Sequence, residues 1–280
     1  MQELNALVVQ RVDFTPDLMI LRVAPDGWEL PPFTPGQYSL LGLPASAPRS
    51  AAATGEDPAA ESSAESGVES GAESGELIRR AYSVASSSVE REYVEFYVAQ
   101  VRSGALSPRL FALGVGDRVH LSPRFTGMFT LDKVPAQSHL VLVGTGTGLA
   151  PYMSMIRTHV EADPARKVFV LHGARNSWDL AYRTELFHLQ RFAPGFCYLP
   201  VIDGPQDEVV PWRGHIGFVQ DLWKSGVVAD RWGFAPTPQD THVFLCGNPL
   251  MIQAMTDLLG AEGFAVHRRH TPGQVHIEEF

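Results

Sequence analysis

The sequence predicts two domains, an antiparallel β-barrel over residues 1–135 followed by a doubly wound α/β domain over residues 136–280. Three observations lead to this expectation. The chain has 280 residues, which is enough for two hydrophobic cores. Short β-rich runs divided by proline and glycine turns occupy the first half. Apolar strands that alternate with helical stretches occupy the second half.

Four runs of β-forming residues define the predicted barrel. They cover residues 4–12, 18–23, 37–43 and 94–101, and turn residues separate them. Short strands with turn signals between them favour a small antiparallel barrel, because full closure removes the exposed edges of a sheet.

Residues 45–76 interrupt this domain with a different composition. The segment is rich in Ala, Ser, Gly and Glu, contains no aromatic residue, and carries seven acidic residues and one basic residue. Such a composition cannot bury enough apolar surface to offset the entropy of ordering, so we expect an acidic, low-complexity and mobile insertion. An acidic docking arm for a partner is the alternative, and we assign the segment no function.

From residue 139 onward the pattern is that of a parallel sheet. Apolar strands are predicted at residues 139–143, 167–171, 197–202 and 242–246, and helices at residues 150–160, 179–192, 217–225 and 249–262. Strands that alternate with helices in this way place the helices on both faces of the sheet.

Composition excludes several classes of function. A net charge of −9 argues against nucleic acid as the main ligand. Two cysteines cannot build a disulfide framework, which indicates a reducing cytoplasm. They also cannot hold an iron–sulfur cluster, which needs four ligands, so any such cluster must belong to a partner. No apolar run could span a bilayer, the N-terminus lacks a signal-peptide pattern, and we expect no metal site.

A glycine-rich turn at residues 144–151 directly follows the first strand of the second domain and opens a helix. Glycine lets the backbone approach a ligand closely, and the start of a helix offers N–H groups to an anion. This context favours a dinucleotide diphosphate, with a purely structural tight turn as the alternative. The spacing differs from the Gly-x-Gly-x-x-Gly of ordinary Rossmann dehydrogenases.

A second candidate site combines a cation with an aromatic ring in the run Arg80-Ala81-Tyr82-Ser83. On a strand, Arg80 and Tyr82 share one face, so the guanidinium could bind a phosphate while the ring stacks on a flat heterocycle. The alternative is an edge arginine beside a half-buried core tyrosine. Residues 104–107 add a flexible turn and a hydroxyl suited to a second diphosphate contact.

Together these motifs resemble the ferredoxin–NADP reductase family, and the resemblance covers nearly the whole chain apart from the acidic insertion. The family's Arg-x-Tyr-Ser flavin motif, Gly-x-x-Ser phosphate turn, NADP diphosphate turn and Cys-Gly element occur in order. They stand at residues 80–83, 104–107, 144–151 and 246–249. The continuation Pro108-Arg109-Leu110 resembles the bacterial branch, and the C-terminal tail resembles the plant type.

The resemblance implies an FAD site in the first domain. Arg80 would bind the FAD diphosphate, Tyr82 would stack on one face of the isoalloxazine ring, and Ser83 would lie near flavin N5, which accepts hydride. The backbone of residues 95–98 would line the nucleotide. The residues implied to bind FAD are Arg80, Ala81, Tyr82, Ser83, Phe96, Tyr97, Val98, Gly104, Leu106, Ser107, Thr147 and Phe280.

The chain ends on an aromatic residue, Phe280, and the ordinary interpretation of such an end is a frayed terminus. By the resemblance, this ring covers the other flavin face and must move before a nicotinamide can approach. Ser83, Cys246 and Glu278 then form a candidate proton path to N5, with the Glu278 carboxylate as the exchangeable donor. The alternatives are simple packing for Cys246 and a solvated surface carboxylate for Glu278.

The resemblance implies an NAD(P) site in the second domain, and the choice of cofactor depends on cations for an adenosine 2′-phosphate. Arg175 matches a nucleotide-binding arginine of the bacterial reductases. Asp203 stands where the family has a phosphate-binding cation. It could instead accept hydrogen bonds from the ribose of NAD(H), or it could belong to a surface turn with no cofactor role. Arg213 and His215 could compensate for that change. The implied NAD(P) set is Gly144, Thr145, Gly146, Gly148, Arg175, Asp203, Arg213, His215, Cys246, Gly247, Asn248 and Pro249.

The implied activity is that of a ferredoxin/flavodoxin–NADP(+) reductase. Such an enzyme transfers hydride between NADPH, or NADH, and FAD N5, and it exchanges single electrons with ferredoxin or flavodoxin. An NAD(P)H:flavin reductase or an oxygenase-component reductase would use the same chemistry with another acceptor. A flavin-binding electron-transfer subunit without NAD(P)H activity is the second alternative, and the intact glycine turn argues against it.

Overall fold

The computed structural model describes residues 4–57, 77–159 and 166–279. The chain divides into two compact units, Met1–Met128 and Phe129–Phe280, and each unit has its own hydrophobic core. Among the residues that the structure describes, no helix combines the length and the apolar character needed to cross a membrane.

The second unit begins before the domain border expected at residue 135. The Phe129 ring packs against Tyr152 and Phe244, with ring centroids 6.0 and 5.1 Å apart. A 3₁₀ turn at Leu131–Lys133 then leads toward the first strand of the sheet. The connecting residues therefore belong to the second unit.

Six strands and one short helix are described in the first unit. They are β1 (Ala6–Thr15), β2 (Leu18–Pro25), β3 (Tyr38–Pro44), β4 (Leu77–Ser83), β5 (Val94–Ala99), α1 (Ser107–Leu110) and β6 (Arg118–Leu121). All paired strands run antiparallel in the order β4-β3-β6-β1-β2-β5. An antiparallel bridge from Val84 to Phe96 joins the end of β4 to β5. The sheet therefore closes on itself, and the predicted antiparallel barrel is confirmed.

Alternation along the strands builds the barrel core. Met19, Leu21 and Val23 on β2 share one face and are fully buried. Phe96 and Val98 on the neighbouring strand β5 are buried in the same cluster. Each such side chain contributes about 1.5–3 kcal/mol relative to an exposed position. The period of two in the sequence therefore reports the inner face of the barrel.

Residues 45–57, the first part of the acidic insertion, are hydrogen-bonded to other residues of the first unit. The Thr54 amide donates to the Arg102 carbonyl at 3.0 Å, and the Arg49 guanidinium donates to the same carbonyl at 3.2 Å. The predicted mobility of residues 58–76 lies outside the described residues. The low-complexity composition concealed these contacts, because backbone donors pair regardless of the side chain that accompanies them.

Strands and helices alternate along the second unit. The elements are β7 (His139–Thr145), α2 (Ala150–His159), β8 (Val168–Ala174), α3 (Arg183–Phe192), β9 (Phe196–Ile202), β10 (His215–Ile216), α4 (Val219–Lys224), α5 (Val227–Trp232), β11 (Thr241–Gly247), α6 (Pro249–Ala261) and β12 (Val275–Glu279). All paired strands of this described unit run parallel, in the order β10-β9-β8-β7-β11-β12. The predicted parallel α/β sheet is confirmed.

Helices cover both faces of this sheet. Val141 and Val143 of β7 belong to the core that also contains side chains of α4, α5 and α6. The intervening Leu140 and Leu142 line a small cavity on the other face together with Met155 of α2. Because both faces of β7 are buried, the strand reads as one continuous apolar run.

The last strand replaces the tail that the sequence suggested. Residues 275–279 form β12, which pairs in parallel with β11 at the edge of the sheet. Val275 and His276 are buried there, whereas Glu279 is exposed. A short run of mixed polarity gives no periodic signal by itself, so only its pairing with β11 identifies it as a strand.

The strand order creates a crevice at the carboxyl edge of the sheet. From β7 the chain moves outward through β8, β9 and β10, and it then adds β11 and β12 on the other side of β7. The connections that follow β7 and β11 therefore leave these adjacent strands in opposite directions. Open α/β sheets bind their ligands at such a switch point.

Candidate functional site

The predicted glycine-rich turn forms at the carboxyl end of β7. A 3₁₀ turn at Gly146–Leu149 connects β7 to α2. Gly146 has a φ of +54°, in the left-handed region, and a Cβ there would meet open space. At Gly148 a Cβ would lie 2.3 Å from the carbonyl oxygen of Cys246. Only glycine therefore lets this turn pack directly on the backbone of β11.

The β11 side of this contact also requires glycine. Gly247 has a φ of +125°, and a Cβ there would lie 2.4 Å from Thr145 Oγ1. That hydroxyl oxygen accepts a hydrogen bond from the Asn248 amide at 2.8 Å. Asn248 Oδ1 accepts from the Leu250 amide at 2.8 Å and so caps α6, with Pro249 at its first turn. The two predicted glycine motifs thus meet at the switch point.

A cavity of about 360 Å³ opens beside these two turns, at the carboxyl ends of β7, β8, β9 and β11. Its walls combine bare glycine backbone with apolar side chains. The lining residues are Thr145, Gly146, Gly173, Ala174, Asp203, Gly217, Phe218, Val219, Gln220, Asn248, Leu250 and Met251. Its position and lining fit a nucleotide whose diphosphate lies against backbone N–H groups.

Some of the residues predicted to bind the nucleotide line the cavity, and others are buried behind its lining. Gly144, Gly148 and Cys246 are buried and support the lining residues. Sequence reasoning missed the walls contributed by Phe218 and Leu250. Both follow the carboxyl end of a strand, and that position was the signal that could have found them. The predicted residues that line the cavity are Thr145, Gly146, Asp203 and Asn248.

The cations expected to bind a 2′-phosphate do not line this cavity. Among the described residues that do line it, Asp203 is the one with an acidic or basic side chain. The Arg175 side chain is 68% exposed, and its Nη2 donates to Asp207 at 3.0 Å. Arg213 and His215 line a separate cavity of about 740 Å³ beside α3. The described lining of this cavity therefore contains one carboxyl group and no cationic side chain.

Cys246 and Glu278 are direct neighbours across β11 and β12. The Cys246 thiol donates to Glu278 Oε2 over 4.0 Å. Burial raises the pKa of Cys246 well above its ordinary value, and the nearby Glu278 carboxylate raises this pKa further. The thiol therefore keeps its proton at neutral pH. Ser83 belongs to the first unit, and Phe280 lies outside the described residues.

The Arg-x-Tyr-Ser motif lies at the end of β4. Arg80 is exposed, and its Nη1 donates to the carbonyl of Arg79 at 2.7 Å. The half-buried Tyr82 ring packs edge-to-face on Phe96, with centroids 6.4 Å apart. Burial raises the pKa of Tyr82, and Ser83 is buried. An exposed guanidinium beside a neutral, half-buried ring fits an anion joined to a flat heterocycle.

The other flavin candidates offer mainly backbone. The side chains of Phe96, Tyr97 and Val98 are buried within the first unit, so only main-chain groups of β5 remain for a nucleotide. Ala81 is exposed beside Arg80. Thr147 is half-buried in the 3₁₀ turn of the second unit.

The turn at residues 104–107 is closed by its own polar groups. Ser107 Oγ accepts from the Val101 amide at 2.9 Å and donates to the Val101 carbonyl at 3.2 Å. The Gly104 amide donates to the same carbonyl at 2.8 Å, and Leu106 is buried. Because the hydroxyl proton is used inside the turn, a diphosphate at this place must meet backbone N–H groups or a cation.

Two comparisons with known proteins identify the family. Residues 142–257 match the model of the oxidoreductase NAD-binding domain. The chain is 33% identical over 212 residues to a ferredoxin–NADP reductase from Azotobacter vinelandii, with 72% of this chain and 79% of that protein covered. The chain belongs to the ferredoxin–NADP reductase family. The family predicted from the motifs is therefore confirmed.

A solved structure and a second relative are also similar to this chain. The structure of a Neisseria gonorrhoeae ferredoxin–NADP+ reductase with bound FAD and NADP matches with a TM-score of 0.76 at 23% identity, covering 98% of this chain and 97% of that one. The reductase subunit of an Amycolatopsis aromatic O-demethylase is 33% identical over 206 residues, covering 72% of this chain and 56% of that protein. This reductase is an FAD- and NAD(P)-dependent oxidoreductase.

Proposed function

We propose that this reductase oxidises a nicotinamide dinucleotide held in the second unit, reduces FAD held by the first unit, and passes single electrons to ferredoxin or flavodoxin. The observation that carries the proposal is the pair of facing glycine turns, where a Cβ at Gly148 or Gly247 would collide with backbone. A turn that excludes side chains leaves its N–H groups to a diphosphate. FAD, when bound, supplies the conversion between two-electron and one-electron transfer.

The residues of the second unit have distinct proposed roles. The backbone of Thr145 and Gly146 would bind the diphosphate, and the Asp203 carboxylate would accept hydrogen bonds from ribose hydroxyls. The protonated thiol of Cys246 would donate toward the reacting edge of the flavin. The half-exposed Glu278 carboxylate, 4.0 Å from that thiol, would exchange protons with solvent.

The residues of the first unit would hold and cover the flavin. Arg80 would neutralise the FAD diphosphate, Tyr82 would stack on the ring system, and the buried Ser83 hydroxyl would lie near N5. By the family resemblance, Phe280 would cover the other face of the ring and act as a gate. Both cysteines are free thiols, which supports a reducing compartment such as the cytoplasm.

We further infer that NADH is preferred over NADPH. The support is the described lining of the cavity, because a 2′-phosphate would meet the Asp203 side chain and no cationic side chain there, while Arg175 is paired with Asp207. Stopped-flow bleaching of the flavin with each nucleotide measures the preference. We expect NADH to react with the higher second-order rate constant. We also expect Asp203→Asn to reduce the ratio of the NADH rate constant to the NADPH rate constant. Asp230→Asn, at an exposed position, should leave this ratio unchanged.

The outcomes of this experiment are distinct. Faster bleaching by NADPH would refute the preference and leave the proposed hydride transfer intact. No bleaching by either nucleotide, in protein that retains FAD, would refute the proposed enzyme and favour the electron-transfer subunit without NAD(P)H activity.

A second candidate acceptor is an oxygenase component. The observation that favours it is the relative from Amycolatopsis, the reductase subunit of an aromatic O-demethylase, at 33% identity. Steady-state turnover with ferredoxin, flavodoxin and free flavin tests the carrier-protein proposal. The carrier-protein proposal predicts that ferredoxin or flavodoxin is reduced faster than free flavin. Reduction of free flavin alone would refute it.

A further inference from the structure

A buried arginine joins the turn at residues 104–107 to the start of the acidic insertion. Arg109 exposes only 1% of its side chain. Its Nη1 donates to the Ala105 carbonyl at 2.7 Å, inside the turn, and its Nη2 donates to the Ala45 carbonyl. Both terminal nitrogens also donate to the Asp57 carboxylate. One side chain therefore bonds to three separate parts of the chain.

Other contacts hold the same segment along the turn. The Ser50 amide donates to the Pro108 carbonyl at 2.9 Å, and Gln100 Nε2 donates to Ser50 Oγ. With the bonds to the Arg102 carbonyl, these contacts place the start of the insertion beside the residues that shape the turn. The insertion thus begins alongside the turn at residues 104–107.

The charge of Asp57 is what this arrangement requires. A buried guanidinium is stable only when a carboxylate and further acceptors compensate for the loss of water. Arg109 Nε has no hydrogen-bond partner among the described residues, so compensation depends on the two terminal nitrogens. Asp57 supplies the negative charge of the pair and keeps 26% of its own side chain exposed. Without that charge, the guanidinium would move toward water and release the Ala105 carbonyl.

We propose that Asp57 is a positioning residue for FAD, which acts through Arg109 to hold the turn at residues 104–107 in the shape that receives the diphosphate. The proposal rests on the proposed flavin site in the first unit. It follows from the internal use of the Ser107 hydroxyl, because the shape of the backbone then determines how well the turn binds an anion. The acidic insertion would thereby support cofactor binding through its first residues.

The test compares two neutralising substitutions at adjacent positions. Asp57→Asn removes the partner of Arg109, and Glu56→Gln removes the same charge from an exposed neighbour. FAD and riboflavin are titrated into the full-length protein after removal of its own flavin, and flavin fluorescence reports binding. Because one of the two bonds from Arg109 is lost and the other loses its charge assistance, Asp57→Asn should weaken FAD binding about tenfold. Riboflavin lacks the diphosphate, so its affinity should not change, and Asp57→Glu should restore part of the FAD affinity.

Three other results would overturn the proposed role of Asp57. An unchanged FAD affinity in Asp57→Asn would overturn the proposal, and so would equal losses for FAD and riboflavin, since equal losses indicate general damage to the fold. An equal loss in Glu56→Gln would indicate nonspecific charge and would also overturn it. If the folded native chain binds no FAD, the proposed flavin site fails and this inference fails with it.

Discussion

The two glycine-containing turns of this reductase are built by opposite means. In the second unit, Gly148 and Gly247 let two backbone segments pack where any side chain would collide. In the first unit, the turn at residues 104–107 is held by polar side chains, the Ser107 hydroxyl and the Arg109 guanidinium. The difference teaches that two similar sequence motifs can derive their shape from excluded volume in one place and from buried polar bonds in another.

The first prediction removes the polar support of the first unit. Arg109→Met keeps an apolar stem but removes the part-buried hydrogen bonds to the carbonyls of Ala45 and Ala105 and to the Asp57 carboxylate. We expect the free energy of unfolding to fall by about 4 kcal/mol, measured by urea denaturation. Arg102→Met removes an exposed ion pair and should change little. Equal losses in the two variants would show that burial of the guanidinium is irrelevant.

The second prediction fills the excluded volume of the second unit. Gly148→Ala places a Cβ 2.3 Å from the Cys246 carbonyl oxygen, so backbone must shift. We expect a loss of about 3 kcal/mol in the free energy of unfolding, together with weaker NADH binding. Gly146→Ala has open space, and its left-handed φ should cost about 1 kcal/mol. If the order of the two variants were reversed, packing would not explain the motif.

The third prediction concerns the stability of the second unit at acidic pH. Burial lowers the pKa of His172 to about 4 and that of His276 to about 3, and both lie in the second unit. Below about pH 6.5 these two histidines bind protons in the unfolded chain, whereas in the native protein they remain neutral until the pH approaches their lowered pKa values. Stability should therefore fall as the pH drops from 6.5 toward 4, by about 1.4 kcal/mol per pH unit for each such histidine.

A histidine substitution checks this sign and size. His276→Phe keeps a ring stacked on Phe244, whose centroid lies 4.3 Å away, but it cannot take up a proton. Denaturation at several pH values should show that the free energy of unfolding falls less steeply with decreasing pH in this variant than in the parent protein. His270→Phe, at an exposed position, should keep the slope of the parent protein. Parallel slopes for all three proteins would contradict the prediction.

The smallest expected effect concerns the Ser107 hydroxyl. Ser107→Ala loses its two bonds to Val101, and we expect about 1.5 kcal/mol less stability. Ser103→Ala, exposed in the same loop, should be neutral. Loss of FAD binding without loss of stability would instead show that the hydroxyl contacts the cofactor, and the contrast between the two turns would then weaken.

Much of the fold could be predicted because its signals are local. The apolar strand at β7 and the glycine turn after it were found from contiguous residues, and the pattern of β2 and β5 indicated the barrel. β12 was missed because it has no periodicity of its own. The separation of Arg213 and His215 from the cavity was also missed, because Arg213, just before β10, and His215, on β10, line the cavity beside α3 instead.

The sequence by itself determined the two types of domain, the order of their motifs and the family to which they belong. Side-chain periodicity and glycine placement are properties of neighbouring residues, so these features can be predicted from the sequence alone. Only the tertiary structure decided that Gly148 faces the backbone at Cys246, that Asp203 lines the cavity, and that Arg109 is paired with Asp57. Those partners lie far apart in the chain, and pairing at such separation depends on how whole elements pack.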